Sequence, residues 1–412
     1  MPAPIWILGS QLCISAGNFL LSLTLARFLG LGEFGVFTLI FFAFMFCRKL
    51  LDGLILVPLT SLQKNHTENA EPFWAYAHFS VVMFCSAAVG LGLLAGLVFL
   101  PVEQCMISLF ALSAIIGAEW VRRILYMLKR PVLAFSYDMA RYGGLVFCMV
   151  ILGLTGGLTL SRSLLVLAGV TMITSLVFGY ISGAPFRRMG KEKQGIAAAH
   201  GTYVKGIAAG VSCDALSGHG PFFIAGMLLS DTQIGIIRLM HQLANLFNIP
   251  FNAINLGALP YAMTALREGG KERLSRFLGQ VLCGSAGLFV LSFLGVATLF
   301  DHGIHALRLP ETATAQALFW GFVVMNFVNL LRQAPTQYFQ ACLDTKRLQQ
   351  GFFIGVYFLP MSWGFITFLG PVGIAAYGVF SSVISGLVFG VYWLKDLNAP
   401  PFQEKSFGTA FK

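Results

Sequence analysis

The sequence predicts an all-α polytopic membrane protein, about twelve transmembrane helices arranged as two six-helix bundles in a parallel pseudo-repeat. Three observations carry this prediction. Hydrophobic residues make up 57% of the 412 residues and charged residues only 11%, against roughly a quarter charged in a soluble domain. Apolar runs close to the ~20 residues a helix needs to cross hydrocarbon recur along the chain, as at 81–101, 143–160, 281–300 and 351–374. Turn features also recur about 200 residues apart. A membrane barrel would instead show segments of about ten residues alternating in polarity.

The expected helices follow from where turn and charge signals collect. The first, 4–29, ends at the Leu-Gly turn before Glu33, and the second, 34–62, at the polar stretch Gln63–Pro72. The third, 73–100, stops at Pro101. The fourth, 104–128, ends at Lys129–Pro131, and the fifth, 132–156, at Gly156–Ser161. The sixth, 161–182, runs into the basic stretch Pro185–His200. The seventh, 203–229, ends at Ser230–Thr232, the eighth, 232–262, at Arg267–Arg276, and the ninth, 274–300, at Asp301–Pro310. The tenth, 311–341, closes before Asp344–Arg347. The eleventh, 345–369, and the twelfth, 371–395, meet at Gly370-Pro371. The first bundle is therefore expected over 1–184, a cytoplasmic linker over 185–202, the second bundle over 203–396 and a cytoplasmic tail over 397–412.

The segment LARFLGLGEFGVF (25–37) aligns with IAGMLLSDTQIGII (224–237), so that Gly35 and Gly235 correspond. Pro58 and Pro260 likewise close the second helix of each half. An even number of helices per half gives both repeats one orientation, about an axis along the membrane normal, with a cavity between the bundles. Nineteen of the 27 Lys and Arg residues fall in the even-numbered loops and the tail, and only Arg162 and Arg308 in the odd ones. The positive-inside rule then puts both termini in the cytoplasm. The net charge of +10 reads as topology and attraction to anionic lipid. Nucleic acid is excluded as a partner, because the cations are dispersed among loops. The start MPAPIWILGS lacks the basic region of a signal peptide. Eight cysteines stand singly, without metal or disulfide spacing, and no cofactor is expected.

Polar residues inside the helices mark candidate cavity walls. The eighth helix carries Arg238, His241, Asn245, Asn248, Asn252 and Asn255 at spacings of three and four, which keeps them on one face. Such a row faces either a hydrated cavity or an interhelical hydrogen-bond seam, because lipid cannot satisfy it. The first helix has Gln11, Ser15, Asn18 and Ser22 on one face, and the tenth has Asn326, Asn329, Gln333 and Gln340. Arg27, off the first-helix stripe, reads as a snorkelling or fold-closing residue. Arg48 and Asp52, four apart on the second helix, form an expected pair that leaves Lys49 free. Glu119 is expected to pair with Arg122 or Arg123, and Asp138 with Arg141. Asp214, near Ser217 and His219, is a candidate for coupling a proton or sodium ion. Pro221, Pro250, Pro335 and Pro360 are expected kink sites.

Three segments carry a family resemblance: NFLLSLTLARFLGLGEFGVFTL (18–39), FCRKLLDGLILVPLTSLQK (46–64) and RRILYMLKRPVLAFSYDMARYG (122–143). They resemble the polysaccharide/oligosaccharide flippase family of the multidrug/oligosaccharidyl-lipid/polysaccharide (MOP) exporter superfamily. The resemblance implies flipping of a polyprenyl-diphosphate-linked oligosaccharide across the bacterial inner membrane by alternating access, with no catalytic site. Its implied partners are the lipid-linked oligosaccharide, membrane lipids, a glycan polymerase and glycosyltransferases. Such a substrate needs cations for phosphate and amides for sugar hydroxyls. That need makes Arg48, Lys49, Arg238, His241, Asn245, Asn248, Asn252, Gln11 and Asn18 the candidate binding residues, with Asp214 for ion coupling. The alternatives are a multidrug or small-molecule antiporter of the same superfamily and a membrane-embedded glycan polymerase or transferase.

Overall fold

In the computed structural model, residues 3–51, 54, 102–128, 130–182, 193–306, 313–342 and 344–397 are described. The expected third helix, Asp52, Pro58, residues 185–192 of the linker and the tail beyond 397 lie outside the described residues. Every described element is helical.

The first two expected helices form one element, α1 (Ala3–Leu51), broken at Gly30 with φ 78° and ψ 162°. That backbone geometry favours glycine, which has no Cβ to clash. There follow α2 (Val102–Met127), α3 (Pro131–Leu154) and α4 (Leu160–Ile181). Pro131 opens α3 at a position where a missing N–H costs nothing, and the Thr159 side chain caps α4. The second half of the chain begins with α5 (Lys193–Leu228), so residues 193–202, expected as linker, are helical; Pro221 sits inside this helix.

Ser230 and Gln233 form a capping box that starts α6 (Asp231–Asn245). A 3₁₀ turn, Leu246–Asn248, separates α6 from α7 (Ile249–Ala306). The expected straight helix over 232–262 is thus interrupted. Pro250 accounts for the site, since it has no N–H to donate to a carbonyl one turn back. α7 breaks again at Gly269-Gly270, the expected turn between the eighth and ninth spans. Then come α8 (Ala313–Ala341), α9 (Thr345–Tyr357), α10 (Met361–Leu369) and α11 (Val372–Leu397). α9 and α10 bend by 41° at the expected Pro360 kink, forming one broken span. Six other described segments are long and apolar enough to cross a membrane. Their outward faces carry exposed Phe147, Leu154, Leu176 and Leu291, as lipid contact requires. The chain is a multi-pass membrane protein.

One large apolar core contains residues of both halves, among them Leu25, Phe34, Ile116 and Leu164 from the first and Ile237, Phe319 and Phe322 from the second. Two further cores are confined to one half each. Ala118, Val121 and Tyr137 belong to the first half; Leu274, Tyr338 and Phe389 belong to the second.

The halves meet most closely around Gly35 and Gly235. A Cβ on Gly35 would overlap the Asp231 backbone, and one on Gly235 would press on the Leu31 carbonyl. Gly35 corresponds to Gly235, and Leu31 to Asp231, at the same offset of 200. The contact is therefore reciprocal, as a two-fold relation demands. Gly35→Ala is expected to force these backbones apart and lower stability by about 1–3 kcal/mol. Gly169→Ala, where an added Cβ meets nothing within 4 Å, is the control. Equal melting temperatures for the two variants in detergent would count against the close contact.

Candidate functional site

The interface between halves is built mainly by the second arm of α1, residues 31–51, against α5 and α6. The capping box fixes where α6 begins, and so fixes which side chains face α1. Arg238 is 7% exposed. Its guanidinium lies 4.7 Å from the Phe41 ring centre and 5.1 Å from that of Phe42. With the Gln242 amide turned to satisfy both partners, its oxygen accepts from the guanidinium. Among the described residues, no carboxylate pairs with Arg238. Two ring faces and one amide hold this buried cation at the junction of the halves.

The rest of the row is closely bonded. His241 lies among the rings of Phe42, Phe222 and Phe322, at 6.4, 5.6 and 4.9 Å between centres. Asn245 Nδ2 donates to His241 Nδ1 at 3.3 Å, and Asn248 Nδ2 donates to Asn245 Oδ1 at 3.3 Å. From α8, the expected Asn326 donates to the Ala244 carbonyl at 3.0 Å and to Asn245 Oδ1 at 3.4 Å. His241, Asn245 and Asn248 thus take part in an interhelical seam while staying only half-buried. Asn252 and Asn255 continue in α7, but their side chains lie outside the described residues. Gln11 is buried and Asn18 half-buried on the first arm of α1. Among the described residues, no side-chain hydrogen bond joins these two to the row.

One turn of α1 points in two directions. Arg48 reaches Glu119 of α2 at 3.1 Å, whereas Lys49 reaches Asp214 of α5 at 2.9 Å. The expectation of a free Lys49 is thereby corrected: its partner comes from the other half of the chain, where same-helix spacing cannot find it. Arg48 is likewise committed to Glu119. Asp52, its expected partner, lies outside the described residues. Glu119 also faces Arg122 at 3.6 Å, as expected, and Arg141 at 3.8 Å.

The expected Asp138–Arg141 pair is corrected as well. Arg141 turns to Glu119, and Asp138, fully buried, accepts from the Ser10 hydroxyl. Ser10 accepts in turn from Tyr126 at 2.7 Å. The opposite end of the second half carries a knot missed by sequence reading. Asp396 accepts from Lys271 and Tyr338 at 2.7 Å each, and pairs with Arg347 at 2.8 Å. Only the cluster of charges at the expected cytoplasmic turns hinted at it. Among the described residues, no His, Cys, Asp and Glu group could hold a metal ion.

Helices packed into two halves around a polar seam give a fold shared with solved membrane transporters. The chain matches a multidrug resistance MATE family transporter in an outward-facing conformation with a TM-score of 0.72 at 12% identity, covering 96% of this chain and 94% of that one. The inward-facing conformation of a multidrug resistance MATE family transporter matches with a TM-score of 0.66 at 12% identity, with the same coverage of each chain. A MOP superfamily transporter from Pyrococcus furiosus, described as having a binding pocket of reverse polarity, also matches: TM-score 0.66, 13% identity, 96% of this chain and 94% of that one. No family model matches the sequence, and no curated protein sequence matches it. At 12–13% identity this likeness shows the fold, which is that of transporters placed in the superfamily of the sequence resemblance; the flippase family itself rests on that resemblance.

Proposed function

We propose that this protein flips a polyprenyl-diphosphate-linked oligosaccharide across the bacterial cytoplasmic membrane, by alternating access of the two halves. The observation that carries the reading is Arg238, a buried cation at the junction of the halves with no carboxylate partner among the described residues. An uncompensated buried charge is costly, and an anionic substrate would offset that cost. Asn245, Asn248 and Gln242 add amides suited to sugar hydroxyls. Asp214, an acid between the halves, is held by Lys49, so the site favours an anion over a cationic drug. A glycan polymerase and glycosyltransferases are the partners this role implies.

A second reading, a multidrug antiporter, is favoured by the ring cage of Phe42, Phe222 and Phe322 around His241 and by the named activity of the first two structural neighbours. Proteoliposomes separate the two. The expected result is protein-dependent movement of a fluorescent polyprenyl-diphosphate oligosaccharide between leaflets, with no ion-driven accumulation of a cationic dye. Dye transport without lipid movement would reverse the assignment.

A further inference from the structure

The contact between the second arm of α1 and α5 has three rungs of unequal character. Phe42 stacks on Phe222 at 3.9 Å between ring centres, and Phe46 meets Phe223 edge-on at 5.9 Å. The third rung is ionic: Lys49 Nζ lies 2.9 Å from Asp214 Oδ2 and donates to the Asp214 carbonyl at 3.1 Å. The aromatic rungs are indifferent to dissolved ions. The ionic rung is not, and its side chains are 38% and 25% exposed. A partly exposed pair of this kind holds weakly, which makes it exchangeable.

A further cation is near. Arg332 of α8 lies within electrostatic range of Asp214. Arg332 itself donates to Ser385 at 3.3 Å. Ser217 donates to the Asp214 carbonyl at 3.1 Å, fixing the backbone that Lys49 also grips. A phosphate presents to an ammonium group what a carboxylate presents, namely oxygen acceptors with negative charge.

We infer that the Lys49–Asp214 pair is an anion-exchangeable interlock: a phosphate group takes Lys49 from Asp214 and so uncouples the two halves at this rung. No bond is made or broken. The ammonium keeps its charge, one anionic partner replaces another, and the released Asp214 carboxylate stays within electrostatic range of Arg332. In the empty protein Asp214 stands in for the substrate's phosphate. This deepens the proposed flippase role and rests on it for the identity of the anion, which would be the diphosphate of the lipid-linked glycan.

The test uses the full chain in phosphatidylcholine nanodiscs, with spin labels at Arg130→Cys and Glu272→Cys, one in each half, in a background without native cysteines. Inorganic pyrophosphate is the probe and tetraethylammonium the control. Pyrophosphate is expected to shift the inter-label distance distribution, and tetraethylammonium to leave it alone. Asp214→Asn, which breaks the pair, is expected to give the shifted distribution without pyrophosphate. Lys49→Gln is expected to abolish the response. The exchanged pair Lys49→Asp with Asp214→Lys guards against misfolding: it should keep the unliganded distribution.

A nanodisc containing phosphatidylglycerol distinguishes the phosphate's source. A shift there without pyrophosphate would support the exchange and assign its anion to the bilayer. A wild-type distribution unmoved by pyrophosphate, or an equal response in Lys49→Gln, would overturn the interlock. If glycan-lipid flipping persists alongside that negative result, the functional reading stands and only the interlock falls. A pyrophosphate response without flipping would have the opposite meaning.

Discussion

Arg238→Met is expected to abolish transport while raising the melting temperature. The two effects have one cause. Arg238 is 7% exposed, with Phe41, Phe42 and Gln242 as its described partners, so the fold bears most of the cost of removing its charge from water. Replacing even a buried ion pair by apolar side chains of similar volume is often neutral or stabilising by about 1–4 kcal/mol, and a cation without a carboxylate has less attraction to lose. Loss of the cation–π contacts, about 1–2 kcal/mol where desolvated, offsets part of that gain. For the substrate the balance is opposite. A charge-assisted hydrogen bond to phosphate contributes about 1.5–3 kcal/mol, which amounts to roughly a 10- to 150-fold loss of binding per bond. Arg238→Lys should keep part of the activity, since it keeps the charge but not the planar fork. The measurements are leaflet-to-leaflet transport in proteoliposomes and thermal unfolding of the same preparations. A variant that melts early and transports in proportion to its folded fraction would make Arg238 a structural residue, and the anion-site argument would fall.

Much of the helix layout was legible because hydrocarbon imposes its own length on a chain. Runs such as 143–160 and 281–300 needed no tertiary information, and glycine and proline marked the breaks at Gly30, Gly269-Gly270 and Pro360. The offset of 200 between Gly35 and Gly235 was also legible. What it meant was not, since the reciprocal packing on Asp231 and Leu31 is a property of two surfaces meeting. The 3₁₀ turn at Leu246–Asn248 shows the limit of the spacing argument. Residues three and four apart share a face only while the helix stays regular, and the row bends where Pro250 interrupts it.

The charged residues were found by type, and Glu119 with its expected Arg122, but the long-range partners were missed. Spacing along one helix suggested Asp52 for Arg48 and Arg141 for Asp138, because a single sequence displays only local proximity. The actual partners, Glu119 for Arg48 and Asp214 for Lys49, are 71 and 165 residues away (119 − 48; 214 − 49). A buried ion pair is chosen by which helices pack together, and that is decided by apolar faces the charges do not control. Phe41, Phe42 and Gln242 went unnoticed for the same reason. Each is an ordinary residue on its own helix and becomes part of a site only opposite Arg238.

Glu119→Gln is expected to cost about 3–5 kcal/mol of stability, the penalty for breaking a buried ionic cluster by removing one sign. Glu119 is 7% exposed and faces three guanidinium groups, Arg48 at 3.1 Å, Arg122 at 3.6 Å and Arg141 at 3.8 Å. The neutral amide keeps the shape and leaves three cations with Asp138 as the remaining buried acid nearby. Arg141 suffers most, because its side chain is 5% exposed and two of its nitrogens already lack hydrogen-bond partners. The double variant Glu119→Gln with Arg141→Met should therefore recover part of the loss. Glu272→Gln is the comparison: that acid pairs with Arg276 at 3.6 Å but is 89% exposed, so its loss should shift stability by no more than about 0.5 kcal/mol. Chemical denaturation of the three variants in one detergent gives the ranking. If Glu119→Gln unfolds at the same denaturant concentration as Glu272→Gln, water screens the cluster. Arg48 would then not be anchored in the first half, and the turn of α1 that also carries Lys49 would lose its fixed point.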